Sequence, residues 1–230
     1  GHVGGWGWGS WSGRTAWHLP GDSVHSLFGQ YNSYANAWDQ ICYDAPYYLP
    51  IKGAGNDRNE NPAAGDPYYY YFFGGWYGPS TYDPATSPPG DGVYKNGYDT
   101  MATFTVAKNI LTVGAVTAAV SGGLRNPSAA TMSAFSSWGP ADDGRIKPDV
   151  VADGVSVYLL YSADDESYVT SSGTSFSGPN AAGSAILLVE LYARLFPGQG
   201  MRASTLKGVI LHTADDLGNA GPDYVNGWGL

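Results

Sequence analysis

Gly173-Thr174-Ser175-Phe176-Ser177-Gly178-Pro179-Asn180-Ala181-Ala182-Gly183 opens a long apolar segment of the chain. Ser175 stands among small residues, and the run beyond Pro179 reads as a helix. That layout puts a hydroxyl at a helix N-terminus, where unpaired backbone N–H groups and the positive dipole end favour negative charge. An oxyanion forming beside Ser175 would be stabilised there, so the stretch reads as a nucleophile site. The G-x-S-x-G nucleophile elbow does not fit, because Ser177 stands where its second glycine would be. Taken alone, Gly-Thr-Ser also matches an ordinary Ser/Thr-capped helix entry.

Outward from this stretch, Ala181 to Val189 carries apolar groups on every face, which predicts a buried helix. Arg194 and Pro197-Gly198 close it, and a last helix is expected from about Arg202 to His212. Upstream, Tyr34, Trp38, Ile41 and Cys42 fall at helical spacing within Tyr31–Asp44. Extended runs are expected at Tyr47–Lys52, Ile110–Val116, Met132–Ser136, Val150-Val151 and Val155–Tyr161; Pro50 is out of place in a central strand. Strands alternating with helices predict an α/β fold, a mainly parallel sheet flanked by helices. Residues 1–30 read as loop with short strand pieces. Residues 57–98, around Tyr68-Tyr-Tyr-Tyr-Phe-Phe73, read as a long surface excursion, a length that marks a functional or inserted segment.

The 230 residues suffice for one domain with a large core. A net charge of −9 argues against nucleic acid or anionic lipid as partner. The single cysteine, Cys42, excludes an internal disulfide framework and a Cys-based zinc knuckle. No apolar run is long enough to span a membrane. The opening Gly-His-Val-Gly-Gly-Trp lacks an initiator methionine and a signal-peptide pattern, so the chain is expected to begin inside something larger or after processing.

Gly53-Ala54-Gly55-Asn56 follows an expected strand, so Asn56 falls at a strand's carboxyl end, where open α/β sheets build their sites. Its amide could donate to the same oxyanion as the Ser175 N–H. An Asn in a Gly-rich turn is the plain alternative.

Together with Ala107–Ala115, Phe135–Pro140, Lys147–Ala152, Thr213–Leu217 and Gly227-Trp-Gly229, these segments resemble the subtilisin-like serine proteases, the subtilase family. The likeness covers roughly residues 45–56 and 98–230, in the family's order. It implies Ser175 as nucleophile of a serine endopeptidase acting on polypeptides and Asn56 as oxyanion donor. It also implies Gly53, Ala54 and Gly55 as one wall of the primary specificity pocket, with Gly173 and Thr174 beside the substrate. No cofactor is required for that chemistry. Calcium is frequent in the family, but Asp142-Asp143, Asp164-Asp165 and Asp215-Asp216 lack ligand spacing. Export to the cell envelope or beyond follows from family habit.

The family's histidine and aspartate lie upstream of the asparagine, in a His-Gly-Thr-His and an Asp-x-Gly context that do not occur in this sequence. His2, His18, His25 and His212 read as loop, packing or structural residues. Asn180 and Asp153 replace a histidine and a proline common in the family, away from the chemistry. The expectation is therefore the C-terminal part of a catalytic domain, incomplete at its N-terminus, inactive alone, with its missing half as partner. A non-catalytic subtilase-like module that binds a peptide is the alternative. An aromatic carbohydrate-binding domain, suggested by Trp6, Trp8, Trp11, Trp17 and the tyrosine run, would leave Ser175 and Asn56 unexplained.

Overall fold

The computed structural model describes residues 7–11, 13–17, 25–72 and 74–230. In chain order the elements are β1 (Trp8–Trp11), β2 (Arg14–Trp17), α1 (Ser33–Asp44), β3 (Ile51–Gly53), β4 (Pro67–Phe72) and β5 (Gly75–Thr81). There follow β6 (Leu111–Val116), β7 (Val120–Ser121), β8 (Leu124–Arg125), β9 (Val150–Asp153), β10 (Val157–Leu160), β11 (Tyr168–Ser171), α2 (Thr174–Leu195) and α3 (Ala203–Thr213).

All six residues of β6 are buried, as a strand covered on both faces requires. It pairs in parallel with β3 on one side and β9 on the other. One face of this sheet meets a core of Ala35, Cys42, Ala54, Met101, Val106 and Ile110, closed by Trp38 of α1. On the other face Leu111, Val113, Val150 and Ala152 pack with Ala181 of α2 and Ile210 and Leu211 of α3. The expected fold class is the observed one: an α/β protein with a parallel sheet between helices.

Local chemistry sets the element ends. Asn32 caps α1, its side chain accepting the Tyr34 N–H, the usual remedy for an orphan donor at a helix start. Asp39, buried on α1, accepts the Lys108 and Asn109 N–H groups at 3.1 and 2.8 Å, which fixes the turn leading into β6. Asp149 takes Lys147 Nζ at 2.7 Å, Lys207 Nζ at 2.9 Å and the Thr112 N–H at 2.7 Å. One carboxylate thereby ties β6, the approach to β9 and α3. Burial pushes the Asp149 carboxyl up, but the two lysines hold it below the usual carboxylate range.

Four expectations change. Met132–Ser136 is not a strand; Met132 makes a single bridge to Val116. The Tyr47–Lys52 run shortens to β3, since Pro50 has no N–H to give a ladder. Residues 57–98 are not merely a loop. Their tyrosine run forms the β4–β5 hairpin, and β4 pairs in parallel with β2 in a sheet ordered β1-β2-β4-β5. Trp8, Trp17, Tyr68 and Tyr82 form its core, so two of the tryptophans assigned to a sugar platform are buried; Trp6 lies outside the described residues.

The fourth change concerns α2. Only Thr174, Ser177, Gly178 and Ala185 are buried. Ile186, Leu187, Leu191 and Leu195 are 68%, 66%, 52% and 63% exposed, so α2 presents an apolar face to solvent. The other edge of β3 is likewise unpaired among the described residues.

Candidate active site

Asn56 follows β3 directly, and Thr174 is the first residue of α2. The Asn56 Oδ1 accepts hydrogen bonds from both the backbone N–H and the hydroxyl of Thr174, each at 2.9 Å. The hydroxyl in turn accepts the Gly55 N–H at 3.2 Å. A backbone N–H can only donate, so the atom facing it has to be the amide oxygen. That fixes the amide's orientation and turns Nδ2 outward.

Nδ2 and the Ser175 N–H then flank one small volume. A β carbon built on Gly173 would sit 3.5 Å from Asn56 Nδ2 and 3.7 Å from Ser175 N. A glycine there keeps that space open beside both donors. Ser175 N–H lies in the first turn of α2, where helical geometry supplies it no acceptor, and its side chain is exposed. Pro179 has no N–H to offer the Ser175 carbonyl one turn back. The arrangement presents one amide donor, one backbone donor and one hydroxyl at the positive end of a 22-residue helix.

The other sequence-assigned residues divide. Gly53 lies against α2: a β carbon on it would be 2.6 Å from the Thr174 carbonyl oxygen. Ala54 is fully buried in the core beside α1, so its methyl is no pocket wall, and only its main chain remains available. Thr174 is 3% exposed, with its hydroxyl engaged by Asn56 and Gly55. It positions Asn56, a role with no local sequence signal.

His25 is buried, packed near the rings of Trp17 and Phe28, its Nδ1 accepting the Leu27 N–H. His212 is in the last turn of α3. His2 and His18 lie outside the described residues. Asn180 and Asp153 line a cavity of about 420 Å³ between β9, α2 and α3. Among the described residues, no group of three or more His, Cys, Asp or Glu is arranged to hold a metal ion. Asp143 pairs with Arg145, Asp215 with Arg125, and Asp164 accepts the Glu166 N–H.

Behind Asn56 the chain turns through Asp57 and Glu60 to meet Asp91. The Asp91 carboxylate accepts the Trp8 N–H at 3.0 Å, and its N–H donates to the Glu60 carbonyl. Burial, then the neighbouring carboxylates, pushes Glu60 up to about 8 and Asp91 up to about 9. This buried acid group beside the candidate oxyanion donor carries no motif in the sequence.

Comparison with known families matches residues 7–229 to the subtilase family. The chain belongs to the subtilase family of serine proteases. It is 38% identical over 96 residues to C5a peptidase of Streptococcus pyogenes, spanning 41% of this chain and 8% of that protein. Serine protease AprX of Bacillus subtilis is 31% identical over 112 residues, 44% of this chain and 25% of that protein. The chain thus matches only a small part of either subtilase relative. Among solved structures, the patellamide maturation protease PatA superposes with a TM-score of 0.55 at 18% identity, over 88% of this chain and 54% of that one. Sphericase gives 0.52 at 20% identity, over 86% and 52%. At those identities the likeness concerns the fold. Among the described residues, no helix of this subtilase chain is long and apolar enough to cross a membrane.

Proposed function

We propose that the chain carries the nucleophile half of a serine endopeptidase site. Ser175 Oγ attacks the carbonyl carbon of a peptide bond while a histidine takes its proton, and Asn56 Nδ2 with the Ser175 N–H holds the oxyanion. The C–N bond then breaks, the histidine returns the proton to the leaving amine, and water releases the acyl group by the same steps. Gly53 to Gly55 and Gly173 offer main chain to the substrate. The observation that carries the reading is the Asn56 amide, clamped by Thr174 so that its donor faces the same volume as the Ser175 N–H.

The histidine and its aspartate come from an upstream segment of the same catalytic domain, seated on the uncovered face of α2. Three facts support this. The α2 face is apolar and exposed, β3 has an unpaired edge among the described residues, and the chain spans 52–54% of the solved subtilase-like chains named above. The likeness to C5a peptidase and AprX supports polypeptide substrates. Export is part of the same proposal.

A fluorophosphonate probe tests it. In the full-length protein the probe labels Ser175, and Ser175→Ala abolishes labelling. The 230 residues alone remain unlabelled, because loss of the base costs on the order of 10⁶ in turnover in subtilisin, the system from which that scale is taken. An unlabelled full-length protein would favour a non-catalytic peptide-binding module instead.

A further inference from the structure

The hairpin β10–β11 carries large apolar side chains on its outward face as well as its inward one. Along β10, Val157 and Leu159 are half-buried while Tyr158 and Leu160 are each 70% exposed. Across the ladder Tyr158 faces Thr170 and Leu160 faces Tyr168, so Tyr158, Leu160 and Tyr168 share the outward face. Tyr158 and Tyr168 stack with ring centroids 5.0 Å apart and planes 13° from parallel. A solvated antiparallel face is ordinarily polar. The turn joining the strands is exposed and carries Asp164, Asp165 and Glu166. None of the three forms an ion pair with a described lysine or arginine.

The position of this face gives it an occupant. β9 and β3 are parallel, so the hairpin rises from the same carboxyl edge of the sheet that delivers Asn56, where open α/β sheets seat their ligands. Its root is locked to the nucleophile turn. The Gly173 N–H donates to the Gly154 carbonyl, and the Ser156 N–H to the Ser172 hydroxyl, both at 2.8 Å. Tyr168 is seven residues from Ser175, a reach of at most about 25 Å for extended chain. The two strands pair only with each other among the described residues, leaving free backbone edges that an extended peptide can join.

We propose that this hairpin is an exosite of the protease, binding a stretch of the polypeptide substrate that combines apolar and basic side chains, within about seven residues of the bond cut. The apolar side chains lie on Tyr158, Leu160 and Tyr168. The basic ones reach Asp164, Asp165 and Glu166. The choice of occupant rests on the protease reading; the binding surface does not.

The test uses the full-length protein with Ser175→Ala and a fluorescein-labelled peptide of about twelve alternating Phe and Lys residues, roughly 40 Å when extended. Fluorescence anisotropy is expected to show Kd rising about tenfold for Tyr158→Ser with Tyr168→Ser. Neutralising the tip with Asp164→Asn, Asp165→Asn and Glu166→Gln should weaken binding and remove most of its salt dependence. The alternating Phe–Glu peptide should bind more weakly than Phe–Lys. Unchanged Kd in both sets of variants overturns the exosite. Labelling of Ser175 by fluorophosphonate in the active protein carrying the same hairpin changes is the separate control. Failure of labelling in the unaltered protein sinks the protease reading while the anisotropy arms still decide the hairpin. In the active enzyme, a long unfolded substrate should show raised KM and unchanged kcat, the sign of lost uniform binding; a fall in kcat alone counts against the exosite.

Discussion

Asn56 and Thr174 are held together across 118 residues of chain by two hydrogen bonds to a single amide oxygen. The pair serves two ends at once. It satisfies the N–H and hydroxyl at the start of α2, and it leaves the Asn56 NH₂ group beside Gly173 at the helix entrance. Structure and candidate chemistry are therefore separable at one residue.

Asn56→Asp retains an oxygen for Thr174 but has no NH₂ group. In the full-length protein it should leave thermal stability nearly unchanged while kcat falls by at least about 10²–10³, the scale established for an asparagine donor in subtilisin. Asn56→Ala should lose stability as well, because Thr174 then forfeits its acceptor. Steady-state kinetics beside thermal melts decide the matter; full activity in Asn56→Asp would remove Asn56 from the oxyanion site.

Gly53 is the close contact between β3 and α2. A β carbon there would lie 2.6 Å from the Thr174 carbonyl oxygen and 2.8 Å from its carbon, both backbone atoms with little room to yield. Gly53→Ala should cost roughly 1–3 kcal/mol in urea unfolding, as overpacking does. It should also slow fluorophosphonate labelling of full-length protein by shifting the turn that bears Ser175. A variant as stable and as reactive as the parent would contradict this packing.

The acid group of Asp57, Glu60 and Asp91 makes stability pH-dependent. Glu60 and Asp91 have folded values raised to about 8 and about 9 from ordinary values of 4.5 and 3.8. Folded protein therefore binds more protons than unfolded between those limits, and stability falls as pH rises. This contribution is fully present below about pH 4 and gone once pH passes about 9. Asp91→Asn can still accept the Trp8 N–H, so it should melt above the parent at pH 9, by a margin that shrinks as pH falls and is gone at about pH 4. Parallel melting profiles for the two proteins would show that Asp91 is not buried as a neutral acid.

Leu187 on α2 is 66% exposed in this chain. Leu187→Ser should change the stability of the 230 residues by no more than about 0.5 kcal/mol, as at other surface positions. If an upstream segment covers that face, the same change in the full-length protein should cost roughly 2–5 kcal/mol, the range for a truncated core leucine. Equal, small effects in both would leave the α2 face without a partner.

Legibility followed the range of the interactions. The helix at Tyr31–Asp44 and the strand at Ile110–Val116 were readable because periodicity and a continuous apolar run are local signals. Met132–Ser136 misled because a short apolar run does not reveal whether a neighbour offers a free edge; here β6 is already paired on both sides, by β3 and β9. The tyrosine run of residues 68–71 gave no hint of its parallel partner β2, more than fifty residues upstream. Ser175 and Asn56 stood out because glycines surround them and each falls at an element boundary. Thr174 did not, since its role depends on a partner 118 positions away.

The sequence by itself determined the three helices and the central strand β6, that a serine opens an apolar helix, and that an asparagine ends a strand. Those follow from steric preference, hydrophobic period and backbone freedom, all properties of neighbouring residues. Only the tertiary structure decided which way the Asn56 amide faces, that the methyl of Ala54 belongs to the core, that three carboxyls gather behind the site, and that one side of α2 is left bare. Each of these depends on which surfaces meet, and contact between distant segments is a consequence of packing the whole chain.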